Sequence, residues 1–181
     1  MLLSILIPTI EKRHEMLQSL LSDLRKQIGD NEIEIIVCDI KNATIGDKRN
    51  RLLNAANGEY LVFIDDDDTI SDDYIYCITQ ALLSSPDCCS LNGVITTNGH
   101  NPKRFIHSIK YNSYFEKDNV YYRPPNHLNV IRSVIAKQFT FPTKNFGEDT
   151  DWAMQICKSG MLKTEVEITD TLYYYVYLTN K

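Results

Sequence analysis

Apolar and polar residues follow two rhythms along this chain. Short, nearly unbroken apolar runs occur at 2–8 (LLSILIP), 32–39 (EIEIIVCD), 59–65 (EYLVFID) and 88–97 (CCSLNGVITT). Runs of this length and density mark strands buried on both faces of a parallel sheet. Between them the apolar spacing lengthens to that of a helix. In 14–28 (HEMLQSLLSDLRKQI), Met16, Leu20, Leu21 and Leu24 share a face, and Gly29-Asp30 supplies the stop. Segment 46–58 predicts a second helix, with Asp47 near its start and Gly58 past its end. Segment 71–85 predicts a third, opened by Ser71 as N-cap and by acidic first-turn residues.

This order of elements predicts an α/β fold, a doubly wound and mostly parallel sheet with right-handed crossovers. Past about residue 100 the pattern changes. Segments 104–111 (RFIHSIKY) and 119–123 (NVYYR) predict antiparallel strands, and 123–136 (RPPNHLNVIRSVIA) a loop followed by an apolar segment. Segment 148–160 (EDTDWAMQICKSG) predicts a helix closed by Gly160, and 162–168 and 171–178 predict late strands. The second half is expected to cover one end of the sheet and leave a ligand cleft. The tyrosines at 173–175 and Tyr177 alternate faces and are expected to pack; Trp152 suits either a core or a sugar platform.

Composition narrows the class. The 181 residues, 43% hydrophobic and 24% charged, suit one domain that needs no staples. No run approaches the ~18 apolar residues of a spanning helix. The start, MLLSILIPTIEKRH, lacks the basic flank of a signal peptide and reads as a strand. Five cysteines without C-x-x-C spacing predict reduced thiols and a cytoplasmic location. A net charge of −5 argues against a broad nucleic-acid surface. Local basic clusters remain in NPKRFIHSIK and KNATIGDKRNR.

The sharpest chemical signal is LVFIDDDDTI, residues 61–70. Two like charges ~4 Å apart repel by about 4 kcal/mol at an effective dielectric near 20. Asp65, Asp66, Asp67 and Asp68 therefore require full solvation or a shared cation. The C-terminal end of a strand is where open α/β sheets bind ligands, which favours a metal site over a solvated turn. Read as Asp65-x-Asp67-x-Thr69, the stretch resembles the motif of dehalogenase-type phosphatases, with Asp65 as nucleophile and Asp67 as acid/base. That family carries its motif on the first strand, whereas two β-α units precede it here, and GEDTD (147–151) matches its later acidic motif only loosely.

Read as Asp65-x-Asp67, the stretch resembles the D-x-D of glycosyltransferase family 2, and further motifs follow in that family's order. ILIPT resembles its opening strand, IIVCD its second strand, GDKRNRLLNAANGEYLVFIDDDD its central pattern, and NFGEDTDWAMQICKSG its late E-D motif. The resemblance implies a GT-A (Rossmann-like) three-layer α/β/α fold, with a mostly parallel central sheet and a small antiparallel portion in the second half. It implies a single domain over 1–181, with 1–100 binding the nucleotide sugar and 101–181 carrying the acceptor and base.

The implied activity is inverting, metal-dependent transfer of a sugar, most simply from a UDP-sugar. Pro8 and Thr9 would contact the nucleotide, with Glu11 at the same edge unless it only shapes a turn. Asp39 would reach the base. Lys48 and Arg49 would lie near the nucleotide, their alternative being a solvated helix start. Asp67 would ligate Mn²⁺ or Mg²⁺, ions suited to oxygen donors, while Asp65 and Asp66 would hold ribose, metal water or both. Asp68 would cap a helix or stay solvated. Asp149 would be the base and Glu148 would orient the acceptor or the loop.

Many family members place a late His near the metal, but TLYYYVYLTNK has none. His127 then replaces it, contacts donor or acceptor, or is structural. The acceptor stays open among a glycan, a protein, a lipid-linked sugar and a modified nucleobase. Because the chain is short for the family, a partner or a homo-oligomer is an open way to complete the acceptor region. A non-catalytic nucleotide-sugar-binding domain is the reading from another class.

Overall fold

A computed structural model describes residues 1–177 and 179. Its first sheet begins with β1 (Leu3–Pro8), β2 (Ile33–Cys38) and β3 (Tyr60–Phe63), parallel to one another with β1 in the middle. Helix α1 (His14–Ile28) links β1 to β2 and α2 (Ile45–Ala55) links β2 to β3. The pleat of β1 sorts its side chains between two cores. Leu3, Ile5 and Ile7 pack with Leu17, Leu20, Leu21 and Leu24 of α1, whereas Leu6 packs with Leu52 and Leu53 of α2. Strand β3 repeats the split: Tyr60 and Val62 face α1, Leu61 and Phe63 face α2. This alternation produces the three-layer arrangement.

Downstream of β3 come β4 (Thr69–Ile70) and α3 (Tyr74–Leu82), which packs on the α1 side. Helix α3 is shorter than the expected 71–85 and its N-cap is Asp73; Ser71 Oγ donates instead to Asp73 at 2.6 Å. On α1, the buried stripe is Leu17, Leu20, Leu21 and Leu24, while Met16 is exposed.

The run 88–97 is two strands rather than one: β5 (Cys88–Cys89) and β6 (Leu91–Thr97). They belong to different sheets. Ser90 is the crossing point, buried and tied to the 166–168 segment through its N–H to Val166 and by the Ile168 N–H to its hydroxyl.

Strands β7 (His100–His107), β8 (Phe115–Lys117) and β9 (Val120–Arg123) follow, then β10 (Ile131–Arg132) and α4 (Ser133–Ala136). Strand β9 runs parallel to β7 and antiparallel only to β8, which corrects the fully antiparallel expectation. Helix α5 (Glu148–Ser159), β11 (Glu165–Val166) and β12 (Thr171–Tyr177) close the described chain; Leu178, the last residue of the expected final strand, lies outside the described residues.

The first sheet has the order β11-β5-β10-β3-β1-β2, and the second β4-β12-β6-β7-β9-β8. The second half thus adds four strands to β4 and β6 in a six-stranded sheet, more extensive than the small antiparallel portion expected. Gly160, at φ 61°, ends α5 as its pattern predicts. Trp152 is fully buried and stacks on Phe141 at a centroid distance of 4.6 Å, so it is a core residue. All five cysteines are free thiols. Among the described residues, no helix is long and apolar enough to cross a membrane.

Candidate active site

The apolar side chains of β3 end at Ile64, whose N–H still bonds the Leu6 carbonyl at 3.1 Å. The chain then turns, with Asp68 N–H donating to the Asp65 carbonyl. This turn divides the four carboxylates among three sets of partners, Asp66 and Asp67 sharing Arg13. Asp65 accepts from Arg49 Nη2 at 2.8 Å. Asp66, buried, accepts from Thr9 Oγ1 at 2.6 Å and Arg13 Nη1 at 2.8 Å. Asp67 pairs with Arg13 Nη2 at 3.0 Å. Asp68, also buried, accepts from the Tyr173 hydroxyl at 2.6 Å, and that hydroxyl accepts in turn from the Asp65 N–H at 3.2 Å. Asp68 is therefore neither a helix cap nor a solvated residue. Arg13, Arg49 and the Tyr173 hydroxyl offset the repulsion that the sequence raises.

Arg49 holds the site together. Its position comes from α2, which opens with Thr44 and Asp47 exchanging side chain and backbone bonds in a capping box. One residue into α2, Gly46 lies where a Cβ would collide with the Pro142 carbonyl, so α2 sits tightly on the loop leading to α5. From α2 the Arg49 guanidinium enters a buried space over Phe63 and Phe141, 5.4 and 5.9 Å from the ring centroids. It bonds Asp65 on one side and Glu148 Oε1 on the other, at 3.2 Å through Nε. Lys48 is buried too and donates to the Thr9 carbonyl at 2.6 Å, fixing the end of β1. Neither basic residue forms a solvated helix start.

Electrostatics follow from this packing. Burial pushes the Asp65 carboxyl up, but Arg49 and His127 together outweigh it and hold it well below the usual carboxylate range. For Glu148 the balance reverses: burial raises it, Arg49 only partly offsets this, and Asp149 adds to the rise. Tyr173 is pushed well above an ordinary phenol by burial and by Asp68 and Asp65, so it stays a neutral donor.

His127 lies between Asp65 and Asp149. Its Nε2 is 3.5 Å from Asp65 Oδ2 and its Nδ1 is 3.7 Å from Asp149 Oδ2. The ring is buried, and neither nitrogen has a hydrogen-bond partner among the described residues. The loop before β10 pins this residue to the sheet, because its carbonyl accepts from the Phe63 N–H at 2.9 Å.

Two clefts flank the acidic turn. One, of about 480 Å³, is lined by Thr9, Glu11, His14, Val37, Asp39 and Lys41. The other, of about 420 Å³, joins Asp65, Asp68, His127 and Asp149 to side chains of the second sheet, Arg123, Tyr175 and Tyr177 among them. Of the sequence-predicted residues, Thr9, Glu11 and Asp39 share the first cleft and Asp65, His127 and Asp149 the second. Asp66, Lys48, Arg49 and Glu148 hold the walls in place, and Pro8 ends β1, buried opposite Cys38. Of the tyrosines, Tyr173 packs as expected, whereas Tyr175 and Tyr177 line the second cleft.

Sequence reasoning missed Arg13, Arg123, His107 and Tyr173 as parts of the site. For Arg13 a signal exists in the basic EKRH cluster just past β1. For Tyr173 there is none locally, since its partner Asp68 is 105 positions away.

Among the described residues, no three His, Cys, Asp or Glu side chains converge on a self-contained metal cage. The donor set fits a different arrangement. A hard divalent ion commonly takes one or two carboxylates and completes its shell with substrate phosphates and water. Asp67 offers such a carboxylate at the strand end, with Arg13 as its present counter-cation.

A three-layer α/β fold with an acidic turn at the end of its third parallel strand is of the GT-A type. The chain belongs to glycosyl transferase family 2, whose family model matches residues 40–141, more than half its length. That membership sets the phosphatase alternative aside.

Among solved structures, the chain is similar to TarS 1-349 of S. aureus in complex with UDP-GlcNAc, at a TM-score of 0.73 and 17% identity. The similarity covers 100% of this chain and 60% of that one. TarS 1-349 in complex with UDP gives 0.69 at 16% identity, covering 97% and 60% of the two chains. At such identity the likeness is one of fold, and the chain spans about 60% of the length of these structures. No curated protein matches it.

Proposed function

We propose that this protein transfers a sugar from a nucleotide-sugar donor, a UDP-sugar in the simplest case, to a hydroxyl acceptor with inversion at the anomeric carbon. The observation that carries this reading is the division of the acidic turn. Asp66 and Asp67 face Arg13 and the β1 end, while Asp65 faces the cleft that holds Asp149 and His127.

In this reading the nucleoside lies in the cleft of Thr9, Glu11 and Asp39, against the Pro8 end of β1, and its diphosphate reaches Asp67. A bound Mn²⁺ or Mg²⁺ would be held there by Asp67, with Asp65 close by, and would supply Lewis-acid neutralisation of the leaving diphosphate. Arg13 adds positive charge on the same side. Asp66 positions Thr9 and Arg13 through its buried carboxylate. Lys48, bonded to the Thr9 carbonyl, keeps that strand end in register.

On the other side, Asp149 accepts the proton of the attacking hydroxyl. A carboxylate at hydrogen-bond distance is sufficient for that step. His127 stands against Asp149 and orients it. Glu148, locked to Arg49, fixes the helix end from which Asp149 projects. The acceptor occupies the second cleft, whose aromatic lining suits a sugar or another polyol face.

Incubation with UDP-glucose or UDP-N-acetylglucosamine and Mn²⁺, with UDP release as the readout, tests the reading. UDP release that Asp149→Asn suppresses is the expected result. Tight UDP binding without release from any UDP-sugar, across a panel of hydroxyl acceptors, would favour the binding-module alternative.

A further inference from the structure

Two groups in the second cleft have no role in the transfer chemistry. Arg123, at the end of β9, lines the cleft and forms no ion pair among the described residues. Its guanidinium is braced between Tyr114 and Tyr121, 5.5 Å from each ring centroid. This bracing orders the cation without neutralising it.

The second group is His107, buried on the same wall. Its protonation follows from its neighbours. The Asn129 amide nitrogen donates to the Cys89 carbonyl at 2.9 Å, and its oxygen accepts from the Asn126 N–H at 3.0 Å. That oxygen also lies 3.1 Å from His107 Nδ1. Nδ1 must therefore carry a proton and donate. Burial and the Arg123 charge push the imidazole down to about 3, so it is neutral and Nε2 keeps its lone pair. Nε2 is buried and makes no hydrogen bond of good geometry among the described residues, although the Asn126 side chain also stands against the ring. A buried acceptor left unpaired is costly and marks a position that a ligand donor can fill.

An unneutralised guanidinium and an unpaired acceptor on one wall call for complementary chemistry in the occupant. We propose that Arg123 and His107 form an acceptor subsite for a hydroxyl compound bearing an anionic group, with the phosphate or carboxylate on Arg123 and a nearby hydroxyl donating to His107 Nε2. Of the cleft's three carboxylates Asp65 is paired with Arg49, and Asp68 and Asp149 leave Arg123 as the group of this lining that attracts an anion. Nor is Arg123 needed for the donor's diphosphate, which in the proposed function lies on the Arg13 side of the turn. The inference rests on that function only for the statement that the occupant is the acceptor.

The test compares neutral and charged probes on the full chain: glycerol with glycerol 3-phosphate, and glucose with glucose 6-phosphate and glucuronate. Affinities are read by ligand-observed NMR at near-physiological salt, with and without UDP and Mn²⁺. The charged member of each pair should bind at least about tenfold more tightly, as charge-assisted hydrogen bonds to a guanidinium allow. Arg123→Gln should erase that preference and Arg123→Lys should keep part of it, with UDP affinity equal in all three proteins.

Phosphate preferred over glucuronate assigns a phosphate-bearing acceptor, and the reverse assigns a carboxylate-bearing one. Equal or undetectable binding of all probes to the wild type overturns the subsite without recourse to any variant. Parallel loss of UDP affinity in Arg123→Gln also overturns it, by moving Arg123 to the donor. Anion preference in a wild type that binds no UDP would keep the subsite and remove the UDP-sugar as donor instead.

Discussion

Arg49 Nη2 lies 2.8 Å from Asp65 Oδ1, and the Nε of the same guanidinium meets Glu148 3.2 Å away. One buried cation thus joins the acidic turn after β3 to the first residue of α5. The desolvation of three charges is offset only while all three remain. Removing the cation leaves two carboxylates facing each other across a water-poor space.

Arg49→Met should therefore destabilise the protein by roughly 3–5 kcal/mol, the usual result of breaking a buried ion pair from one side. Arg49→Lys should recover part of this at best, because a lysine cannot bond both carboxylates with a planar fork. Urea denaturation followed by circular dichroism checks both. A Met variant within 1 kcal/mol of wild type would show that Arg49 does not hold the two segments together.

His107 gives a pH prediction whose sign can be worked out. Its folded-state value, about 3, lies below the usual imidazole value of 6.5. Below pH 6.5 the unfolded chain takes up a proton that the folded chain refuses, so stability falls as the pH falls and the loss ends only near pH 3. The slope approaches 1.4 kcal/mol per pH unit. The raised Glu148 and Glu165 act in the opposite sense, because folding favours their protonated forms. The window to follow is therefore the one below pH 6.5, with a His107 variant that keeps both glutamates as the control. Urea midpoints across that window should decline for the wild type and decline less for His107→Gln. Equal slopes in the two proteins would mean that His107 takes up its proton in the folded state.

Much of the frame was legible because its causes are local. Helix α1 occupies the expected 14–28, since its leucine stripe and Gly29 stop are both read within a few turns. The acidic turn at the end of β3 and the acidic first turn of α5 were legible for the same reason. The break at Ser90 was not. Periodicity sees one apolar run, whereas the switch of sheets depends on bonds to residues near 168, 78 positions away. The site divides in the same way. Its carboxylates announce themselves in sequence, but the cations and hydroxyls that make them tolerable do not. Arg13 meets Asp66 across 53 positions, and Glu148 meets Arg49 across 99. Lys48 and Arg49 read as nucleotide contacts, or else as a solvated helix start, and the tertiary fold instead buries both.

Asp67 has the task of holding the divalent ion in the proposed reaction, with Arg13 as its counter-charge in the chain itself. Asp67→Ala should remove the Mn²⁺-dependent part of UDP binding while leaving the fold intact. The lost pair with Arg13 is partly exposed and Arg13 keeps Asp66, so the melting temperature should stay close to that of the wild type. Isothermal titration of UDP with Mn²⁺ and with EDTA separates the metal-dependent part from the rest. Metal-dependent affinity that survives in Asp67→Ala would require another ligand.

The two acidic residues beside Glu148 offer the sharpest test of mechanism, because the fold gives them different surroundings. Asp149 lines the second cleft, with its Oδ2 3.7 Å from His127 Nδ1 and its side chain 30% exposed. Asp151, two residues on, turns outward and pairs with Lys144 at 2.6 Å. Both lie in the first turn of α5, so both interact favourably with the helix dipole, a contribution of about 0.3–1 kcal/mol each. A purely structural role would make Asp149→Asn and Asp151→Asn equally mild. A base role separates them. Asparagine preserves the shape of Asp149 but cannot take the acceptor's proton, so transfer should fall by roughly 10²–10⁴ while UDP affinity stays close to wild type. Asp151→Asn should lose less than about threefold, since a surface ion pair contributes little. His127→Ala should also slow transfer, by at least about tenfold, without a matching loss of melting temperature, if its place between Asp65 and Asp149 serves the reaction. Rates measured with a saturating donor, together with the anomeric configuration of the product, decide the matter. Near wild-type transfer by Asp149→Asn, or a product of retained configuration, would exclude direct displacement with Asp149 as the base.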